Sequence, residues 1–368
     1  MQRLYNNVIT QNSELMKIKL LIILILFLLF VVSSCNKNND DNPSGAWSNS
    51  VFIINEGPFQ TGSGSISAFN RESLEVAHDL FETANGWPLG NIVQSMTVHQ
   101  NKAFIVVNNS NKIEVVNLED FKSVTTIENL TLPRYFIGFD EDKGYVSCWD
   151  STVKVMNLRD YSIITSIQTG NGPDEMILAG DQLFVINSGG FGVDSTVSII
   201  QTNDEEPFGL LEVGHRPSGI QKDVNGKIWV LCSGKGWNGF PAPGDTPAKL
   251  VCIDPGSHAI LKEIIFPDAS AHPDNLVTDE NGSMLYYNHP AGIFAFPVSA
   301  SSLNTQPLIS GNTMFYGLGY DKVTKMIFAT DPLDYAQNGW VYRFNALDGT
   351  PVDSFLVGII PNGFWFNQ

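Results

Sequence analysis

Apolar and polar positions along this chain come in short bursts rather than with a helical period. A run of five or six residues rich in Val, Ile, Leu, Phe and Tyr recurs seven times: 51–55 (VFIIN), 103–108 (AFIVVN), 144–148 (GYVSC), 183–187 (LFVIN), 228–232 (IWVLC), 284–288 (MLYYN) and 326–330 (MIFAT). Short β-branched and aromatic runs of this kind predict strands. Their spacing, roughly 40 to 55 residues, is that of propeller blades. A turn signal precedes most of them, as at Asn225-Gly226 and Asn281-Gly282. A second strand follows, for example 112–117 (KIEVVN) or 196–200 (TVSII). Then come a polar turn such as 254–256 (DPG) and a third strand such as 162–167 (SIITSI). A loop carrying Pro133, Pro173, Pro217 or Pro273 leads into a fourth.

Four short strands joined by tight turns cannot bury a face alone, whereas radial stacking buries both faces of each sheet. The pattern predicts an all-β chain, a seven-bladed β-propeller of four-stranded blades over 51–368. The first unit begins directly at a second strand, and 360–364 (IPNGF) has the form of a Pro-led strand opening. The C-terminal segment is therefore expected to complete the first blade and close the ring. No amphipathic helix of useful length is visible, which excludes helical and Rossmann readings.

The chain is 43% hydrophobic and 16% charged, with 32 Gly and 19 Pro, which excludes a mainly disordered or coiled-coil protein. Its formal net charge is −17. No basic surface of the kind that gives non-specific nucleic-acid affinity is expected, and no basic patch for anionic lipid.

The N-terminus reads as an address rather than as fold. Lys17 and Lys19 precede an unbroken apolar run of 13 residues, 20–32. That is the length of a signal-peptide core and short of the ~20 residues of a spanning helix. The small residues before Cys35 (VSSC, 32–35) resemble a bacterial lipobox, with Cys35 lipidated. Residues 1–15 read as a mis-assigned start, 16–34 as the signal peptide and 35–50 as lipidated Cys plus flexible tether. Lys37 with Asp40 and Asp41 resembles the acidic export tag of surface lipoproteins of Bacteroidetes-type bacteria. The expected location is the outer membrane, at the cell surface, with the lipid as sole membrane contact. Cys148, Cys232 and Cys252 remain, an odd number that excludes full pairing. Cys232 and Cys252 flank one long loop, which leaves open a bridge or two free core thiols.

The loops after the recurrent runs and those leading into the next unit share one face of a blade and surround its funnel. They hold the chain's aromatics and amides. Phe59, Asn108, Trp149, Asn187, Phe191, Trp237, Phe240, His289 and Tyr335 belong to the first set. Trp87, Asn91, Arg134, Tyr135, Asp174, Arg216, His272, Asn275, Tyr316 and Asn362 belong to the second. Rigid aromatics with amides suit a bulky, partly apolar ligand carrying amides, or a protein surface. The longest insertion, 233–247, contains GKGWNG at 234–239, which fits G-x-G-x-x-G. The residues after it, FPAPG, cannot open the helix that a dinucleotide site needs, so this loop is expected over the funnel mouth. His215, His272 and His289 lack metal-ligand spacing and read as ordinary loop histidines. Glu56, Asp174, Glu175, Asp274 and Asp331 offer Ca²⁺ ligands or acid–base groups if they converge. No nucleophile elbow, H-E-x-x-H or phosphate loop is present. The reading is of a non-enzymatic binder with no assigned catalytic residue, metal or cofactor. Two alternatives stay open: a glycan- or protein-binding scaffold, and a metal-dependent lactonase-like enzyme.

The repeating unit, with its Gly-x-x-Pro lead (GNGP at 170–173, GHRP at 214–217) and Asp-Gly or Asn-Gly turns, resembles the YncE-like and surface-layer-type seven-bladed propellers. The resemblance covers nearly the whole chain after the signal. With the lipobox and acidic tag it extends to the surface lipoproteins that partner TonB-dependent transporters, a set that includes a cobalamin-binding propeller. It implies a small-molecule ligand, vitamin B12 or another corrinoid, and an outer-membrane TonB-dependent transporter as partner.

Overall fold

A computed structural model describes residues 47–238, 242–311 and 315–367. They form seven four-stranded antiparallel sheets, the blades of a propeller. Blades are numbered here from the N-terminus. The second strand of each is the recurrent run of the sequence: Ser50–Asn55, Lys102–Val107, Lys143–Cys148, Gln182–Asn187, Ile228–Cys232, Met284–His289 and Met326–Asp331. The Pro-led segments open the inner strands of blades 3 to 6, and the inner strands of blades 2 to 7 are Val93–His99, Pro133–Gly138, Pro173–Ala179, Pro217–Lys222, Asp274–Thr278 and Leu318–Asp321. Each lies beside the next around a closed ring. In blade 1 the inner strand is the C-terminal Pro361–Phe366, antiparallel to Ser50–Asn55, so the ring closes as the sequence predicts.

Burial peaks at the second strand of each blade; the inner strands, which face the axis, are only partly buried. Second strands are buried almost throughout, as in Lys102–Val107, because neighbouring blades cover both faces. Outermost strands such as Ile163–Gln168 and Pro207–Glu212 are largely exposed. The core is accordingly seven apolar clusters, one at each junction between blades. Phe52 and Ile54 meet Met96 and Ile105 between blades 1 and 2, and Phe104 stacks on Phe136 at 3.9 Å between blades 2 and 3.

The join between the two chain ends has its own lock. The Arg71 guanidinium donates to both Asp321 carboxylate oxygens at 2.8 and 3.0 Å, to Ser50 O and to Asn367 O. One side chain thus ties first strand, last strand and blade 7, with Arg71 and Asp321 only 4% and 0% exposed.

Three local features depart from or complete the sequence reading. A helix, Leu80–Asn85, follows the two-residue outer strand of blade 1 and buries Leu80 and Phe81; six residues are too few to show a period. Trp47 to Ser50, assigned above to the tether, belong to the propeller, since Trp47 packs on Phe52 and Phe121 at 6.2 and 6.0 Å. Cys148, Cys232 and Cys252 are free and buried, and burial pushes the Cys232 thiol up to about 12. Cys232 lies opposite Lys249 and Cys252 opposite Trp229, so the two do not face each other. The signal peptide, Cys35 and the acidic tag lie outside the described residues.

Candidate functional site

The opening of each inner strand builds the funnel. In blades 2, 3, 4, 5 and 1 the residue just before the strand takes a left-handed conformation: Ile92, Leu132, Gly172, Arg216 and Ile360 have φ of 59°, 48°, 58°, 54° and 55°. Four of these are not glycine and pay a steric penalty for it. A β-bulge follows in six blades, between Val93 and Ser95, Pro133 and Phe136, Pro173 and Met176, Pro217 and Gly219, Asp274 and Leu276, and opposite Ile54/Asn55 in blade 1. Bulges re-aim side chains. Here they hold Gln94, Arg134, Tyr135, Glu175, Asn275 and Asn362 at a central cavity of about 1020 Å³, which Asp274 also lines.

Polar side chains from these openings join every pair of neighbouring blades. Asn362 Nδ2 donates to Gln94 O at 3.1 Å, Ser95 Oγ to Arg134 O at 2.7 Å, and Arg134 Nε to Asp174 Oδ1 at 3.1 Å. Glu175 Oε2 accepts from Ile220 N at 3.2 Å, and Gln221 Nε2 donates to Leu276 O at 2.9 Å. Asn275 Nδ2 donates to Tyr316 O at 2.8 Å, and Tyr316 OH closes the circuit on Glu56 Oε1 at 3.1 Å. These polar groups are therefore also staples of the ring.

Burial sets the electrostatics. It raises Glu175, with the Asp174 carboxylate adding, to about 8. It raises Asp274 to about 6 against bonds from Asn275 and Asn288. Glu56 is also raised by burial, opposed by Asn362 and Tyr316. Near neutral pH the funnel thus carries less negative charge than its carboxyl count suggests. The Trp149 indole N–H and Asn362 Oδ1 are buried without a partner, and both residues line the cavity.

Of the residues expected at a site, Phe59, Asn108, Arg134, Tyr135, Trp149, Phe191, Arg216, Asn275, Tyr316 and Asn362 line this one cavity. The others stand elsewhere. Trp87 is half exposed and meets Phe81 edge-on at 6.0 Å. Asn91 fastens the blade 1 loop through Pro58 O and Gly62 O. Asp174 is turned to Arg134 and Ser188. Asn187 is fully buried inside blade 4, bonded to Thr196 and Ser198. His289 packs between Phe266 and Phe294. Tyr335 stands edge-on to Tyr316 at 5.8 Å. Phe240 lies outside the described residues. The described part of the long loop, 233–238 and 242–247, is fastened to the openings of blades 5 and 6. Arg216 Nη1 donates to Gly236 O at 2.8 Å and lies over the Trp237 ring at 4.5 Å. Asn238 and His272 exchange two bonds at 2.8 and 2.9 Å, and His272 Nδ1 meets Ser233 O. No described residue of this loop lines the cavity.

Asn109, beside Asn108 in the same loop, lines the funnel as that loop was expected to, whereas Gln94, Ser95, Thr97 and Gln221 line it without having been picked out from the sequence. Position relative to the strand opening is the signal that finds Gln94, which stands where blade 3 has Arg134. Among the described residues no three His, Cys, Asp or Glu side chains are grouped as a metal ligand set. His215, His272 and His289 therefore do not form one.

Residues 49–367 match the model of a family described as a domain of unknown function, DUF5074. The chain belongs to this family. None of the curated proteins matches it. Among solved structures it is similar to a quinonprotein alcohol dehydrogenase-like protein from Bacteroides thetaiotaomicron, with 14% identity and a TM-score of 0.68 over 88% of this chain and 79% of that one. It is also similar to hydrazine synthase from Kuenenia stuttgartiensis, at 14% identity and TM-score 0.57 over 76% and 92%. A third is the dihydro-heme d1 dehydrogenase NirN, at 10% identity and TM-score 0.53 over 88% and 76%. At these identities the likeness is one of fold.

Proposed function

We propose that the protein is a surface lipoprotein whose funnel captures a bulky, partly apolar, amide-bearing ligand and passes it to an outer-membrane TonB-dependent transporter. Cobalamin or a related corrinoid is the first candidate. The observation that carries the reading is the funnel itself. At about 1020 Å³ it stands just above the roughly 300–1,000 Å³ usual for small-molecule pockets. Phe59, Trp149, Phe191 and Tyr316 offer aromatic surface, and Gln94, Asn108, Asn275 and Asn362 offer amides. With Glu175 held neutral below about pH 8, its carboxyl both donates and accepts, as an amide does. A hydrogen-bonding aromatic funnel with one carboxyl held neutral suits an amide-rich body better than a bare metal ion. The signal peptide, Cys35 and the acidic tag support the surface location, and a tethered binder raises ligand concentration beside its transporter.

Calorimetric titration of the purified chain with cobalamin tests the ligand: one saturable site is expected, and no heat at micromolar protein removes the corrinoid. Cys35→Ala tests the anchor: the protein is expected to leave the membrane fraction, and unchanged retention defeats the lipoprotein reading. A second reading, a glycan or protein docking on the same face, is favoured by one observation. Phe59, Phe191 and Trp237 are 65%, 89% and 69% exposed at the rim, the kind of aromatic anchor that partner surfaces use.

A further inference from the structure

Arg216 is held in a way that the ring does not require. Its backbone is the left-handed turn before the blade 5 inner strand, φ 54°. Ile92, Leu132 and Ile360 occupy that turn in blades 2, 3 and 1, and Gly172 in blade 4. Ile92 and Leu132 line the cavity as Arg216 does. The fold is thus served at this position by apolar side chains or none.

The guanidinium is nevertheless placed with care. Its backbone is held as the same turn is in other blades, Ser233 N donating to Arg216 O at 2.9 Å as Trp149 N does to Leu132 O at 3.1 Å, so what is particular to Arg216 is its side chain. Its Cζ lies 4.5 Å from the Trp237 ring centroid, and among the described residues Nη1 alone is bonded, to Gly236 O. A guanidinium has five N–H donors in a rigid fork, so most of this one is uncommitted. The other arginines among the described residues are ion-paired: Arg71 with Asp321, Arg134 with Asp174, Arg159 with Asp142 and Arg343 with Asp353. Arg216 forms no ion pair among the described residues. Burial pulls its pKa down, opposed by the charge of Asp274. A half-buried cation facing a cavity, stacked and oriented but not neutralised, is what an anion-recognition site needs before its ligand arrives.

We propose that Arg216 is the anion contact of the funnel: the ligand carries an oxyanion group, a phosphate ester or a carboxylate, that docks on the free edge of this guanidinium beside Trp237. The proposal rests on the reading of the funnel as a ligand site and adds the charge that the ligand bears.

The test is titration of the purified full chain with inorganic phosphate and, separately, with acetate at constant ionic strength, followed by tryptophan fluorescence. A saturable response is expected, weakened about ten-fold or more in Arg216→Gln, as charge-assisted bonds of this kind imply. Arg216→Lys, which keeps the charge without the fork, is expected to retain part of it. Arg159→Gln, an exposed pair outside the funnel, leaves it unchanged. A response to phosphate alone assigns a phosphate ester, and one to acetate alone a carboxylate. No saturable response in the wild type, or equal responses in wild type and folded Arg216 variants, overturns the proposal. Corrinoids separate its failure from that of the ligand reading. Cobalamin carries a phosphodiester that cobinamide lacks, so Arg216→Gln should weaken cobalamin and spare cobinamide. Equal binding of both by both proteins overturns the anion contact and keeps the funnel. No corrinoid binding, with the Arg216-dependent phosphate response intact, supports the contact and removes the corrinoid.

Discussion

Arg134 in blade 3 and Arg216 in blade 5 stand on the same rim, and each lies over an indole, 4.2 Å from the Trp149 centroid and 4.5 Å from that of Trp237. Their surroundings differ. Arg134 follows its proline and enters the bulge, where it donates to Asp174 and to Gln94 and so joins blades 2, 3 and 4. Arg216 precedes its proline and occupies the turn, with a single side-chain bond among the described residues, to Gly236 O of the long loop. A shift of two positions at one strand opening separates a structural node from an open contact. The same residue types on one funnel therefore do not share one role, and bonding saturation tells the roles apart.

Arg71 is the extreme of the closed type, with an ion pair to Asp321 and two backbone bonds at the seam. Removing one partner of a buried pair costs about 3–5 kcal/mol because the other charge is left unpaired. Arg71→Ala should fall at the upper end of that range in denaturant unfolding and should weaken the closure of the ring. Arg134→Ala strands Asp174 and Gln94 and is expected near about 3 kcal/mol. A loss below about 1 kcal/mol would show that this node is not the staple described here.

Glu175→Gln sharpens the contrast through pH. Burial and Asp174 raise Glu175 from 4.5 to about 8, so the folded chain keeps a proton that the unfolded chain releases. Stability contributed this way is present below about pH 4.5 and is lost as pH rises towards about 8, following the linkage relation. The glutamine variant cannot show that loss. Unfolding measured from pH 5 to 8.5 should favour the wild type most at low pH, with the gap shrinking or reversing at high pH. A pH-independent gap would contradict the buried, protonated carboxyl. The smallest effect is expected at the open arginine. Arg216→Gln forfeits one bond and a stacked cation, together about 1 kcal/mol of stability, while its anion response falls by far more in relative terms.

The sequence carried the architecture well because it is written in repeated, local signals. The seven runs are the second strands, buried on both faces and hence uniformly apolar. The Pro-led segments open the inner strands of blades 3 to 6, and IPNGF closes blade 1. The site was harder to read because a bulge decides which side chains face the axis, and bulges leave no periodic trace. Asn187 and Asn108 both end a recurrent run, yet one is sealed inside blade 4 and the other lines the funnel. Trp149 and Trp237 look alike in the sequence, but the first lines the cavity and the second, on a longer loop bonded to Arg216 and His272, does not. Gln94 carries no chemical signature of its own and becomes legible only by alignment with Arg134 across blades.

A ligand entering the funnel is reported by Trp149, whose indole N–H is buried there without a partner among the described residues. Tryptophan fluorescence of the wild type and of Trp149→Phe, titrated with cobalamin, is the direct measurement. Saturable one-to-one quenching in the wild type, with much of its amplitude lost in the variant, is the predicted result. Quenching that does not saturate, or that is the same in both proteins, would contradict a ligand bound in this funnel.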